Sequence, residues 1–199
     1  MTGRHVDRTR APSPTGAASV TEILLVCRAN QCRSPFAAAI GAQLGAERPL
    51  RFHSAGLMAG GRPMPQRGRR VGRERGFDFS EHRSRELDLR DLDRYDLILT
   101  MSRAHAREVL VDHVEVWPRL FTLKQFSRWL VQHPRPEGVA VGPWLDAVAA
   151  ERPRKSMLGA SGLDDVADPV QAPSDVWRRM ADELSEHLRI VVDGLEPRA

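Results

Sequence analysis

Residues 20–27 read Val-Thr-Glu-Ile-Leu-Leu-Val-Cys, and Arg-Ala-Asn-Gln-Cys-Arg-Ser follows before Pro35. The short apolar run stops at a polar stretch, which is the pattern of a buried parallel strand leaving its sheet at Cys27. From Pro35 the residues Phe-Ala-Ala-Ala-Ile-Gly-Ala-Gln-Leu are small and helix-forming, and Pro35 suits the first helical position. A strand, a tight loop and a helix therefore follow one another.

The alternation continues downstream. Leu50–Ser54 reads as a second strand ending at Ala55-Gly56, and Pro63–Arg75 as a basic helix closed by Gly76. Tyr95–Met101 reads as a third strand, Arg103–Leu110 as a helix, and Val114–Trp117 as a fourth strand. Residues 131–163, rich in Pro, Gly and Ala around Trp144, have weak periodicity and read as a long, partly helical excursion. Ser174 is placed to cap a last helix, whose Trp177, Met180, Leu184, Leu188, Val191 and Leu195 recur at spacings of three and four on one face. Strands alternating with helices predict parallel βαβ units with right-handed crossovers, an α/β fold.

Composition narrows the class. At 199 residues the chain is one domain's length, and 41% hydrophobic with 28% charged residues excludes wholesale disorder. No apolar run approaches the roughly 18 residues of a membrane span. Met1–Ser19, with Arg4, Arg8 and Arg10 but no apolar stretch, reads as a disordered basic tail rather than a secretory signal, so a cytoplasmic protein is expected. Cys27 and Cys32 are the only cysteines, too few to staple a fold or to fill a zinc site. The 30 basic residues face 26 acidic ones, and only Lys124 and Lys155 are not arginine. That reads as compositional bias rather than a nucleic-acid surface.

The Cys27–Ser34 segment carries the chemistry. A loop of this size between a strand end and a helix start can wrap its N–H groups around an oxyanion, with the helix dipole adding positive potential. Arg33 would grip two oxygens in fork geometry. The same field favours the thiolate of Cys27 as nucleophile, with the Ser34 hydroxyl donating to its sulfur. Cys32 lies close enough in sequence to condense with an oxidised Cys27, or else simply packs beneath the loop.

Val26-Cys27-Arg28-Ala29-Asn30-Gln31-Cys32-Arg33-Ser34-Pro35 resembles the phosphate-binding loop Cys-x5-Arg-[Ser/Thr]-Pro of the low-molecular-weight protein tyrosine phosphatases. Other segments resemble that family in its order: Phe52-His53-Ser54-Ala55-Gly56, Glu81-His82-Arg83-Ser84-Arg85-Glu86-Leu87, Tyr95–Met101 and Asp165-Val166-Ala167-Asp168-Pro169. The resemblance covers residues 21–124 and 164–195 and leaves an insert at about 125–163 in a single domain of 20–199. It implies a Rossmann-like, four-stranded parallel open sheet of order 2-1-3-4, flanked by helices on both faces. It also implies a phosphomonoester hydrolase, foremost a protein tyrosine phosphatase working through a phosphocysteine. Catalytic roles fall by position on Cys27, Arg33 and Asp168, phosphate binding on Arg28, Ala29, Asn30, Gln31, Cys32 and Ser34, and a supporting network on Asn30, Ser34, Ser54 and His82. No metal or other cofactor is implied. The expected partners are a phosphorylated protein or small phosphomonoester, with phosphate or another oxyanion in the loop, and neither a membrane nor nucleic acid.

Departures keep rivals in view. Tyrosine-specific members carry aromatic residues after Asp-Pro and on the loop after the second strand, where this chain has Val170-Gln171 and Met58-Ala59-Gly60. Weaker discrimination for phosphotyrosine is expected, unless Trp129 or Trp144 of the insert supplies the wall. Arsenate reductase chemistry with an external thiol is one rival, since no cysteine follows Cys32 for an internal cascade. Phosphoarginine phosphatase is another, although Gln31 replaces the Thr its members resemble in Cys-x3-Thr-Cys-Arg-Ser. A non-catalytic Arg-rich binding module ranks last, because it leaves Cys27, Arg33 and Asp168 unexplained.

Overall fold

A computed structural model describes residues 20–196, so the basic tail expected at 1–19 and residues 197–199 lie outside the described residues. The first strand, β1 (Thr21–Cys27), buries Ile23, Leu24, Leu25 and Val26 completely. Each such side chain contributes roughly 1.5–3 kcal/mol by leaving water. Period-two alternation sends Ile23 and Leu25 into one hydrophobic cluster and Leu24 and Val26 into the other. Both faces of β1 are therefore covered.

β2 (Leu50–Gly56) pairs along the whole of β1, from Thr21 opposite Leu50 to Cys27 opposite Gly56. β3 (Leu97–Thr100) pairs on its other side and β4 (Leu120–Thr122) closes the edge, giving an all-parallel sheet of order 2-1-3-4. The chain leaves β1 for β2 on one side and later returns to β3 on the other. This makes the C-terminal end of β1 the topological switch point, where open α/β sheets place their sites.

Among the described residues six α-helices flank the sheet: α1 (Arg33–Leu44), α2 (Gln66–Glu74), α3 (Arg103–Asp112), α4 (Leu123–Gln132), α5 (Val141–Glu151) and α6 (Ser174–Leu195). α1, α4 and α6 pack on the face of Ile23 and Leu25, with Val71 of α2 joining them, while α3 covers Leu24 and Val26. The apolar face of α6 is buried at Trp177, Met180, Leu184, Leu188, Val191 and Leu195, as its periodicity requires. α2 ends before Gly76, whose φ of 81° is the left-handed C-terminal conformation that glycine adopts without strain.

Some local expectations need correction. Val114–Arg119 is a 3-10 segment, and the ladder of β4 begins only at Leu120. Pro118 cannot donate to a ladder, and Val116 and Trp117 are buried as core. Pro35 is the third residue of α1, not the first, a position still within the turn whose N–H groups lack helical partners. Ser174 is the first residue of α6 rather than its cap, and its hydroxyl accepts from Arg70 instead. The excursion holds α5 and a 3-10 turn, Arg154–Met157.

Arg152, which follows α5, pins the excursion to the sheet. It is 3% exposed, and its guanidinium lies 3.9 Å from the Trp117 ring centroid and 3.7 Å from that of Phe121. It donates to the carbonyls of Leu120 and Trp117 and to Gln125 Oε1. Burial lowers its pKa to about 9. Trp144 packs against Phe126 in the core and Trp129 stacks on His133, so the insert lends neither tryptophan to a substrate wall. Arg152→Ala is expected to destabilise the fold by about 3 kcal/mol, since buried carbonyls lose their donor, lowering the urea midpoint with the slope kept. Arg152→Lys should recover little of this, because an ammonium cannot stack between two rings while forking to two carbonyls.

Candidate active site

Cys27 ends β1 and Arg33 begins α1, so the residues between them span the carboxyl edge of the sheet and the amino end of a twelve-residue helix. No protein acceptor takes the backbone N–H groups of Ala29, Asn30, Gln31 or Cys32 among the described residues, which leaves a set of donors for an anion. Cys27, Arg28, Ala29, Gln31, Cys32, Arg33, Asp168 and Val170 line a cavity of about 180 Å³ over this loop. Among the described residues no aromatic side chain belongs to its wall.

Asn30 shapes the loop. Its φ of 50° places it in the left-handed region, where asparagine is among the few tolerated side chains. Its Nδ2 donates to Ser34 Oγ at 3.0 Å and Ser54 Oγ at 2.9 Å, while its Oδ1 accepts from the backbone N–H of Arg85 at 2.9 Å. Its carbonyl is 2.7 Å from His82 Nε2, which donates to it. The expected network of Asn30, Ser34, Ser54 and His82 is thus assembled around one residue. The Arg85 amide and Gly56 complete it. A Cβ on Gly56 would stand 2.7 Å from Asn30 N and 2.8 Å from the Ala29 carbonyl carbon, so only glycine lets β2 pass beneath the loop.

The sulfur of Cys27 lies 3.0 Å from Ser34 Oγ, which is also 3.2 Å from the Ala55 carbonyl oxygen. Ser34 has one proton to give and two acceptors in reach. A neutral thiol leaves it on Ala55, whereas a thiolate draws it to sulfur. Both cysteines are free and buried, but burial, aided by Asp168 and by Cys27 itself, pushes the Cys32 thiol far up. Cys32 therefore stays protonated and packs with the core beneath the loop.

Arg33 reaches across to the segment ahead of α6. Its Nη1 donates to the Val166 carbonyl at 3.1 Å and its Nη2 to Asp168 Oδ2 at 2.5 Å, while its buried Nε has no partner among the described residues. Among the described residues Asp168 is the only carboxylate lining the cavity, and 43% of its side chain is exposed. The neighbouring acids have structural duties. Asp164 is fully buried between Arg103 and Arg128, and Asp165 accepts from the backbone N–H groups of Arg103 and Ser161. Lys124 adds a hydrogen bond to the Asp165 carbonyl at 3.3 Å, and Val166 N–H donates to Met101 O at 2.9 Å. These clamps on the Asp-Pro segment come from α3 and α4, and no short motif announces them.

His105, in the first turn of α3, was also invisible to motif reading. It is 6% exposed, its Nδ1 has no partner among the described residues, and burial together with the Arg33 and Arg28 charges lowers its pKa to about 4. The unfolded chain takes up a proton near pH 6.5 that the folded chain refuses until about pH 4. Acidification through that window should therefore remove roughly 3 kcal/mol of stability. His105→Gln should lose markedly less stability than the parent between pH 7 and pH 4.5 in urea unfolding, and parallel losses would contradict this role.

Comparison with known proteins places this geometry in a family. The profile of the low molecular weight phosphotyrosine protein phosphatases matches residues 22–135, more than half of the chain. The chain is 34% identical over 116 residues to a probable low molecular weight protein-tyrosine-phosphatase, EpsP, of Ralstonia solanacearum, covering 58% of this chain and 79% of that one. It is 30% identical over 178 residues to a protein-arginine-phosphatase of Geobacillus stearothermophilus, covering 87% and 95%. Among solved structures, a low molecular weight protein tyrosine phosphatase from T. tengcongensis superposes with a TM-score of 0.65 at 27% identity, covering 87% of this chain and 98% of that one. The YwlE arginine phosphatase from Geobacillus stearothermophilus gives 0.65 at 28%, covering 88% and 92%. On sequence and on fold, the chain belongs to the low molecular weight phosphotyrosine protein phosphatase family.

Proposed function

We propose that the protein hydrolyses phosphomonoesters, with phosphotyrosine in proteins as the preferred group, through a phosphocysteine on Cys27. The observation that carries this reading is the convergence of the Cys27 sulfur, the Arg33 fork and the Asp168 carboxylate on one small cavity floored by free N–H groups. A phosphate entering the loop competes with Asp168 for Arg33, and the unpartnered Nε supplies the second tooth of a bidentate grip. Asp168 is then free to turn its protonated carboxyl toward the ester oxygen.

The proposed chemistry runs in two displacements. Cys27 thiolate attacks phosphorus as the ester P–O bond breaks, and Asp168 gives its proton to the departing oxygen. Asp168, now a carboxylate, takes a proton from a water that attacks the phosphocysteine, and the S–P bond breaks to return thiolate. The Ser34 hydroxyl steadies sulfur both as nucleophile and as leaving group. Arg33 and the loop amides stabilise the charge that builds on the equatorial oxygens. A reducing cytoplasmic setting suits an enzyme that depends on a free thiol.

Phosphoarginine is the second reading, supported by the longer alignment to a protein-arginine-phosphatase and by the aromatic-free cavity wall. Gln31 favours the first. It stands where arginine-specific members resemble one another in carrying Thr, and its side-chain amide is spent on the Pro63 carbonyl at 2.8 Å. Initial rates on phosphotyrosine, phosphoserine and phosphoarginine peptides, and on arsenate with an external thiol, rank these readings. Fastest turnover of phosphoarginine or arsenate would displace phosphotyrosine.

The residue roles are tested separately. Cys27→Ser should abolish turnover yet still bind vanadate, and Arg33→Lys should lose both, because Lys keeps charge without the fork. Asp168→Asn should slow alkyl phosphates by roughly 100-fold or more and aryl phosphates far less, since a good leaving group needs little protonation. Equal slowing of both classes would remove Asp168 from the acid role.

A further inference from the structure

The rim of the cavity is electrically lopsided. On the α3 side Arg28 is matched by Glu108 at 2.6 Å and Arg103 by Asp164 at 2.5 Å, while Arg107 is spent on the carbonyls of Met157 and Gly159. The α2 side differs. Of the arginines between residues 62 and 75, Arg75 pairs with Asp182, and Glu74, the sole acid of that stretch, is taken by Arg178. Arg62, Arg67, Arg69, Arg70 and Arg73 form no ion pair with a carboxylate among the described residues. The adjoining turn adds Asp78, which caps Ser80 and feels the Arg73 charge, and exposed Glu81, but also Arg83 and Arg85.

Hydrogen bonds place this face at the mouth of the site. Gln31 donates to the carbonyl of Pro63, and Arg62 exchanges hydrogen bonds with Ser84 at 3.0 and 2.7 Å. Arg70 reaches Ser174 Oγ at 2.5 Å and Arg67 the Ala172 carbonyl at 3.5 Å, so α2 lies along the segment that follows Asp168. Arg67, Arg70 and Arg73 recur every three residues as one exposed stripe. From Arg67 to Arg73 the helix rises about 9 Å, the span of roughly three residues of extended peptide.

We propose that this face reads carboxylate side chains of the substrate, so that the preferred substrate is a phosphorylated segment carrying Asp or Glu on one side of its phosphoresidue. The proposal rests on the phosphatase reading above and deepens it. Guanidinium groups suit the task because their forks match carboxylates. Exposed pairs are individually weak, each worth a factor of about two, but three engaged together multiply to roughly tenfold. Their field also steers an acidic segment toward the cavity.

The test compares a phosphotyrosine peptide flanked on one side by Glu with its Gln-flanked counterpart and with p-nitrophenyl phosphate. The parent should prefer the Glu peptide by roughly tenfold in kcat/KM at low salt, and 1 M salt, where the Debye length is about 3 Å, should erase the preference. The triple variant Arg62→Gln/Arg67→Gln/Arg73→Gln should lose the preference with p-nitrophenyl phosphate turnover unchanged, and the matching triple Lys variant should restore most of it. Each peptide is also run as a competitive inhibitor of p-nitrophenyl phosphate hydrolysis, so that binding without turnover still registers. Equal kcat/KM and equal inhibition constants for the two peptides would overturn the proposal. Failure of the parent to hydrolyse p-nitrophenyl phosphate would instead strike the phosphatase reading, and calorimetric binding of the two peptides would then decide the charge preference on its own.

Discussion

Asn30 holds a conformation that costs a non-glycine residue roughly 1–2 kcal/mol, and the hydrogen bonds around it make that conformation the stable one. Its side-chain amide ties Ser34 to Ser54, its side-chain oxygen takes the Arg85 amide, and its carbonyl takes His82. Two distant stretches of chain, at Ser54 and at His82–Arg85, thus converge on one loop residue. Because Asn30 is only 1% exposed, water cannot substitute for any of these partners. The neighbouring amides are left without acceptors among the described residues, and Ser34 is oriented toward the Cys27 sulfur. In the proposed mechanism the anion cradle and the poised Cys27 nucleophile are consequences of the same constraint.

The second organising interaction is the contact between Arg33 and Asp168. The Arg33 guanidinium would otherwise be a nearly buried, uncompensated charge, and Asp168 compensates it from the half-exposed side of the cavity. The pair can exchange partners when an oxyanion arrives, because Asp168 is tethered to the protein chiefly by its own Asx turn to Val170. The segment that carries it is firmly fixed upstream, where Asp164 and Asp165 are clamped by α3 and α4. A rigid base carrying a half-exposed carboxyl at its tip suits the alternation between acid and base proposed for Asp168.

Much of this was legible in the sequence because the strand β1, the loop and the helix α1 are contiguous, and local chemistry dictated each. The residues around Asn30 were legible by resemblance alone, since nothing local says that Ser54 and His82 meet it. The fourth strand was misplaced because Val116 and Trp117 are apolar for reasons of core packing, while Pro118 delays the ladder to Leu120. The insert was misjudged as a possible substrate wall because aromatic content does not reveal which way Trp144 faces; Arg152, buried between two rings, settles its attachment to the core. His105 and the clamps on Asp164 depend on side chains far apart in the chain, Arg128 lying 36 and Arg103 61 residues from Asp164, separations no periodicity records.

The central claim is that the constrained loop makes Cys27 the atom that accepts the phosphoryl group. Rapid acid quench during turnover of an aryl phosphate, followed by peptide mass analysis, addresses it directly. The account predicts one phosphoryl group on the peptide containing Cys27, located on that sulfur, forming in a burst and absent from the Cys27→Ser protein under the same quench. Phosphate found on His105 or Asp168, or full turnover with no phosphorylated enzyme at any quench time while product accumulates in a burst-free line from both proteins, would contradict it.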